Sequence, residues 1–387
     1  MISARLLLSV AAASVFAAGC STVSNMVDAV NPFSSSGPKL APLPPVSGKA
    51  DVRTQWTASI AKAGDYQFTP AVVGGAAYVA GRDGSISRLE GGKAVWKINA
   101  GQTLSAGVAA DSNLVVVGTP KGAVLAFAAD SGKPLWKAQV SSEVLATPAV
   151  GPDGVAVRSG DNNVFLLDAS TGARKWMYQR ATPALSIRGQ GGPVFADRYV
   201  FIGFPGGKLV ALALQNGAPV WEGAVALPKG AIELDRIADV VAAPVVDGTQ
   251  ICAVAFQGRV ACFDMAQGGN MIWSRDISSV SGLTLDGRYL FVSDDKGVVH
   301  ALDRQSGGSF WKQDKLKGRG LSAPLVRRGL VAVGDVEGWV HFLSREDGSV
   351  VGRTKLDSTP VTAALQSIDA GILAQSRGGS IAAIEAQ

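Results

Sequence analysis

The chain has 387 residues, of which 47% are hydrophobic, 17% charged and 7% aromatic, and it contains 47 glycines and 18 prolines. It is too apolar to be disordered, and glycine at about 12%, against about 7% in ordinary proteins, implies many turns. A net charge of +5 spread over scattered basic residues argues against a nucleic-acid partner, and two histidines with three cysteines exclude a His-rich metal cluster or a Cys-rich framework.

Residues 1–20 carry one positive charge at Arg5, then an uncharged run of 13 residues from Leu6 to Ala18, then Gly19 and Cys20. That run is too short to span a bilayer, which takes about 20 residues, and it reads as an export signal. The segment Ala17-Ala18-Gly19-Cys20 resembles the lipobox of bacterial lipoproteins, with Ala17 where Leu is usual. The resemblance implies cleavage after residue 19 and a lipid on Cys20. The alternative is an ordinary signal cut near Ala12 to Ser14, leaving Cys20 as an unpaired thiol. Residues 20–50 hold five prolines and lack periodicity, so they are expected to form a flexible tether.

From residue 51 onward the sequence repeats. Tryptophans fall at 56, 96, 136, 176, 221, 273 and 311, at intervals of 40, 40, 40, 45, 52 and 38. Each after the first closes a similar phrase, such as GAVLAFAADSGKPLW ending at Trp136 or GVVHALDRQSGGSFW ending at Trp311. A seventh phrase, GWVHFLSREDGSVVG, has Gly352 in place of Trp, and an eighth, GSIAAIEAQ, ends before its Trp strand. Upstream of each phrase lie two further β-rich runs separated by a Gly or Asp turn, for example LATPAVGPDGVAVRS from Leu145. Each copy therefore predicts a four-stranded antiparallel meander. Such small sheets must stack on one another, and radial stacking gives a β-propeller. The strand around Trp56 supplies what the last copy lacks, so the expected fold is all-β: an eight-bladed propeller over residues 51–387, closed by the N-terminal strand. A β-solenoid fits less well, because its repeats are usually shorter and it needs caps at both ends.

The spacing A-x-D-x-x-x-G-x-x-x-W from Ala301 to Trp311 resembles the docking motif of quinoprotein-type propellers, and LLDASTGARKW ending at Trp176 nearly matches it. With its lipobox, proline-rich tether and eight such copies, the whole chain resembles the BamB family, lipoproteins of the outer-membrane β-barrel assembly machinery. That resemblance implies a non-catalytic scaffold without a cofactor, lipid-anchored on the periplasmic side of the outer membrane. It implies a monomer within a hetero-complex, bound to a POTRA domain of the barrel component BamA, to the rest of that complex and to unfolded outer-membrane clients.

Two connections are longer than the usual 11 to 14 residues: 17 from Trp176 to Pro193 and 23 from Trp221 to Pro244. They contain PALSIRGQGG (183–192) and ELDRIADVVAAP (233–244), which resemble the family's partner-docking loops. The positions carried over are Leu185, Ile187 and Arg188 on the first, and Asp235, Arg236 and Asp239 on the second. Val241 stands where the family pattern often has another Asp. The chemistry expected is an apolar anchor from Leu185 and Ile187, with Arg188 facing a carboxylate or strand-edge carbonyls and Asp239 orienting it or meeting a partner cation. The competing expectation is an internal ion-pair cluster of Arg188, Asp235 and Asp239.

A quinone-cofactor oxidoreductase shares the propeller and its Trp motif, but this chain has no adjacent Cys pair, and Asp83, Asp153, Asp161 and Asp347 sit where Asx turns explain them. A propeller binding another envelope partner is the third alternative. His300 and His341 occupy equivalent third-strand positions, and without a third ligand they read as hydrogen-bonded strand histidines rather than a zinc site. Cys252 and Cys262 lie symmetrically about Gln257 in one hairpin, where they can oxidise to a cross-strand disulfide or remain two buried thiols.

Overall fold

The computed structural model describes residues 40–387 apart from 49, 182 and 370, so the signal segment, Cys20 and most of the tether lie outside the described residues. Thirty-two strands form eight four-stranded antiparallel sheets. In chain order these are blade 1 (71–99), blade 2 (106–139), blade 3 (149–178), blade 4 (194–224), blade 5 (245–275), blade 6 (283–313), blade 7 (325–355) and blade 8 (366–386, completed by 52–59). The predicted closure is present: Val52–Ser59 pairs antiparallel with Ser380–Ala386.

Burial explains why the sequence repeats as it does. In blade 2 the second strand, Leu114–Gly118, is wholly buried and the third, Ala123–Ala128, nearly so, whereas the outer strand Pro134–Gln139 alternates. A strand covered on both faces reads as a continuous apolar run, and one facing water reads with period two. Eight separate apolar clusters form, one in each seam between neighbouring blades; Val116, Val124, Val155 and Phe165 fill the seam between blades 2 and 3.

The repeated tryptophan locks these seams. Trp136, Trp176 and Trp273 donate their indole N–H to the carbonyls of Ala169, Leu214 and Arg304 in the following blade, each at 2.8 Å. The glycine of the next blade's outer hairpin lies flat on the ring: at Gly172 and Gly217 a Cβ would stand 2.6 Å from the indole, and φ is 71° and 72°. Glycine is needed there twice over, for the left-handed turn and for the close approach. One residue before each of these tryptophans the outer strand carries a bulge; in blade 4 Ala211 pairs with Trp221 and Leu212 with Pro219, leaving Val220 unpaired.

The seam between blades 7 and 8 departs from this plan. Gly352 replaces the Trp, and the space is taken by the incoming chain, since a Cβ at Gly352 would lie 2.6 Å from Val52. Residues 41–48 and 50, assigned to the flexible tether by composition, are instead seated along blade 7. Ala41 N–H donates to Lys317 (3.1 Å), Ser47 N–H to Val350 (2.8 Å) and Ala50 N–H to Val351 (3.1 Å). The guanidiniums of Arg319 and Arg353 donate to the carbonyls of Ala41 (2.8 Å) and Pro44 (2.7 Å). Prolines hold this strap extended with their carbonyls free to accept, so the feature that looked like disorder serves docking. Cys252 and Cys262 face each other across blade 5, with Cα atoms 4.1 Å apart, and are joined as a disulfide.

Candidate functional site

In an antiparallel meander all blade-to-blade connections emerge on one face of the ring. The two long connections stand side by side there, flanking blade 4. Arg188 is exposed and Leu185 is 44% exposed, while Ile187 is half-buried. On the second loop a 3-10 turn, Glu233–Arg236, lifts Asp235 and Arg236 into solvent. Arg236 is used locally, donating to Gly230 O at 3.1 Å and lying 3.5 Å from Glu233.

Asp239 behaves differently from both expectations. It is 1% exposed, so it neither meets a partner cation nor orients Arg188. One carboxylate oxygen accepts the Ile187 N–H at 2.7 Å and the other the Gly206 N–H at 3.0 Å, which ties the second loop to the first loop and to a hairpin of blade 4. Its own carbonyl accepts the Phe256 N–H at 2.8 Å. The anticipated ion-pair cluster of Arg188, Asp235 and Asp239 does not form; Arg188 instead lies 3.8 Å from Glu143, with its side chain 81% exposed. Hydrogen bonds from the Ser142 side chain and from its own backbone, and then the Arg188 charge, keep the Glu143 carboxyl below the ordinary glutamate value. Val241, where an acid was the alternative, is buried, and its carbonyl accepts the Gly191 N–H at 2.6 Å.

The residues that sequence reasoning missed are apolar. Leu227, Ile232 and Leu234 are 63%, 56% and 60% exposed on the second loop. With Leu185 they place four large apolar side chains in water on two loops braced by a buried carboxylate. Lone exposed apolar residues need no explanation, but several on adjacent, non-repeating loops mark an interaction surface. Their signal in the sequence was ALPKGAIEL, apolar residues in a stretch with no strand period to bury them.

The other singled-out residues are structural. His300 and His341 each lie 2.9 Å from the carboxylate six residues earlier, Asp294 and Asp335. Asp83 and Asp347 accept backbone N–H groups two residues on, at 2.9 and 3.0 Å, as Asx turns do. Among the described residues no group of three or more His, Cys, Asp or Glu is arranged to hold a metal ion.

A family model described as outer membrane protein assembly factor BamB matches residues 82–313. Outer membrane protein assembly factor BamB of Bordetella pertussis is 41% identical over 370 residues, 95% of this chain and 94% of that protein. The chain belongs to the BamB family. The Pseudomonas aeruginosa BamB is 44% identical over 315 residues, covering 79% of this chain and 82% of its own. The crystal structure of BamB from Moraxella catarrhalis superposes with a TM-score of 0.81 at 30% identity, covering 86% of this chain and 99% of that one. Quinohemoprotein alcohol dehydrogenase from Comamonas testosteroni matches with a TM-score of 0.69 at 12% identity, over 86% of this chain and 76% of its own, a likeness of fold alone. As a BamB-family member the chain is an assembly factor for outer-membrane proteins.

Proposed function

We propose that the protein is a non-catalytic scaffold, anchored by a lipid on Cys20 to the periplasmic side of the outer membrane, that docks through its two long loops onto a POTRA domain of BamA. The observation that carries this reading is the set of exposed apolar side chains on loops held rigid from within. Leu185 and Leu234 supply the anchor, Ile187 supports it from its half-buried position, and Arg188, Asp235 and Arg236 form a polar rim that favours one register over others. Asp239 acts through the loops rather than on the partner. Rigid loops lose little conformational entropy on binding, which keeps more of the gain from apolar burial.

The strap adds geometry to this reading. Its first seated residue, Ala41, meets the connection between blades 6 and 7, on the same face as the docking loops. From Cys20 to that point about 20 residues can reach at most about 70 Å. The described chain therefore begins on the face that carries the docking loops, and docking there would hold clients near the machine.

Co-purification from detergent-solubilised envelopes tests the proposal, comparing wild type with Leu185→Ala and Arg188→Ala after export and folding are verified. BamA is expected with wild type and reduced with either variant. Capture of a different envelope protein in its place would leave the propeller and remove this assignment.

A further inference from the structure

Behind the docking loops lies a buried arginine that has no direct carboxylate partner among the described residues. Arg158 ends the second strand of blade 3, Gly154–Arg158, and is 3% exposed. Its guanidinium donates to Gly191 O in the first loop at 3.3 Å and to Asn162 Oδ1 at 2.5 Å. It also sits 5.8 Å from the centroid of the Phe204 ring, which Arg180 approaches to 5.6 Å. Phe204 O in turn accepts the Val240 N–H, next to Asp239, at 3.2 Å. Burial lowers the Arg158 pKa to about 10, and the charge that opposes this shift is Asp239. The positive charge and the carboxylate are thus the two buried ends of one bracket. Asp239 holds the Ile187 amide and Arg158 the Gly191 carbonyl; Arg188 lies between these two points and Leu185 two residues before the first.

We infer that Arg158 is a positioning residue of the docking surface, whose buried charge compensates Asp239 and so fixes the two loops in the form that presents Leu185, Arg188 and Leu234. The docking step rests on the proposed function; the positioning step does not. A buried carboxylate left without its compensating charge draws in water, which competes with the amides it now holds. Neutralising both ends removes that drive, because Asn at 239 can still accept one amide hydrogen bond.

The test is amide hydrogen exchange on the full mature chain for wild type, Arg158→Met, Asp239→Asn and the double variant. Arg158→Met is expected to speed exchange at Ile187 and Gly206 tenfold or more while strand amides of blades 6 and 7 stay unchanged. The double variant is expected to recover much of that protection. A purely structural packing role for Arg158 would make the double variant at least as loose as the single one. Unchanged exchange at Ile187 and Gly206 in Arg158→Met would overturn the inference. Should Arg158→Met not fold, Arg158→Lys keeps the charge without the planar fork; protection near wild type supports the inference, and loss as complete as in Asp239→Asn refutes it. Binding of the purified periplasmic domains of BamA separates the two proposals. Normal binding by Leu185→Ala removes the docking assignment whatever the exchange data show. Weakened binding by Leu185→Ala, with Arg158→Met indistinguishable from wild type in binding and exchange, removes only the positioning role.

Discussion

Two arginines are buried in this propeller, and they hold non-repeating segments in opposite ways. Arg319 grips the strap through Ala41 O and is itself held by Asp335 at 2.7 Å and by Glu337. Burial disfavours its charge, but the hydrogen bonds it donates to Glu337 and Asp335, with their charges, outweigh burial and raise its pKa. Arg158 grips the first docking loop through Gly191 O and is itself held by Asn162 Oδ1 of its own hairpin, and burial prevails, lowering its pKa. The compensated arginine lies in the connection between blades 6 and 7, where the strap begins; the under-compensated one lies beneath the surface assigned to docking. The strap is thus fixed through paired charges. The docking loops are fixed without a direct ion pair, by Arg158 on a carbonyl and by Asp239 on two amides.

The largest effect should come from the strap side. Arg319→Met takes the guanidinium from buried Asp335, which keeps only His341 and two amides, and should cost about 3 kcal/mol in urea unfolding, with the strap becoming open to protease; a loss confined to the docking loops would break the contrast. Next, Gly352→Trp restores the repeat's missing residue where Val52 now packs, and should destabilise by about 1–3 kcal/mol through overpacking, read as a lower urea midpoint. Acid should also loosen the strap. Burial raises the Asp335 pKa, but hydrogen bonds from His341, the Trp339 amide and Arg319 more than reverse this and leave it below 3.8. A carboxyl whose folded pKa is depressed contributes stability above its unfolded value and loses it as the pH falls through the folded value. Protease protection of residues 41–50 should therefore hold at neutral pH and decline below about pH 4. The smallest effect is Arg188→Ala. With its side chain 81% exposed and 3.8 Å from Glu143, its loss should move stability by no more than about 0.5 kcal/mol. Stopped-flow association with BamA periplasmic domains should show a slower on-rate and a shallower salt dependence.

How far the sequence could be read follows the same division. The eight blades were legible because every seam but one reuses a Trp and a Gly at fixed spacing, and Trp56 announced the closing strand. The eighth seam was legible only as a gap, Gly352 for Trp, because the Val52 that fills it comes from the far end of the chain. The strap was misread since its prolines carry the composition of a linker, and hydrogen bonds accepted by proline carbonyls leave no trace in composition. At the docking loops, position was legible from connection length but role was not. Asp239 looked like a contact because the resemblance to the family's docking loops carried it over, and nothing in IADVV signals that its carboxylate folds inward onto Ile187 and Gly206. Leu234 and Ile232 passed unnoticed because an apolar residue in a sequence is presumed to be inside.

Hydrogen exchange of the folded mature protein with and without the periplasmic domains of BamA tests the assignment of the docking surface most directly. Binding is expected to slow exchange across residues 183–192 and 227–240, leaving the strap at 41–50 and the strands of blades 6 and 7 unchanged. Protection centred on blades 7 and 8, with the two long loops exchanging as in the free protein, would contradict it.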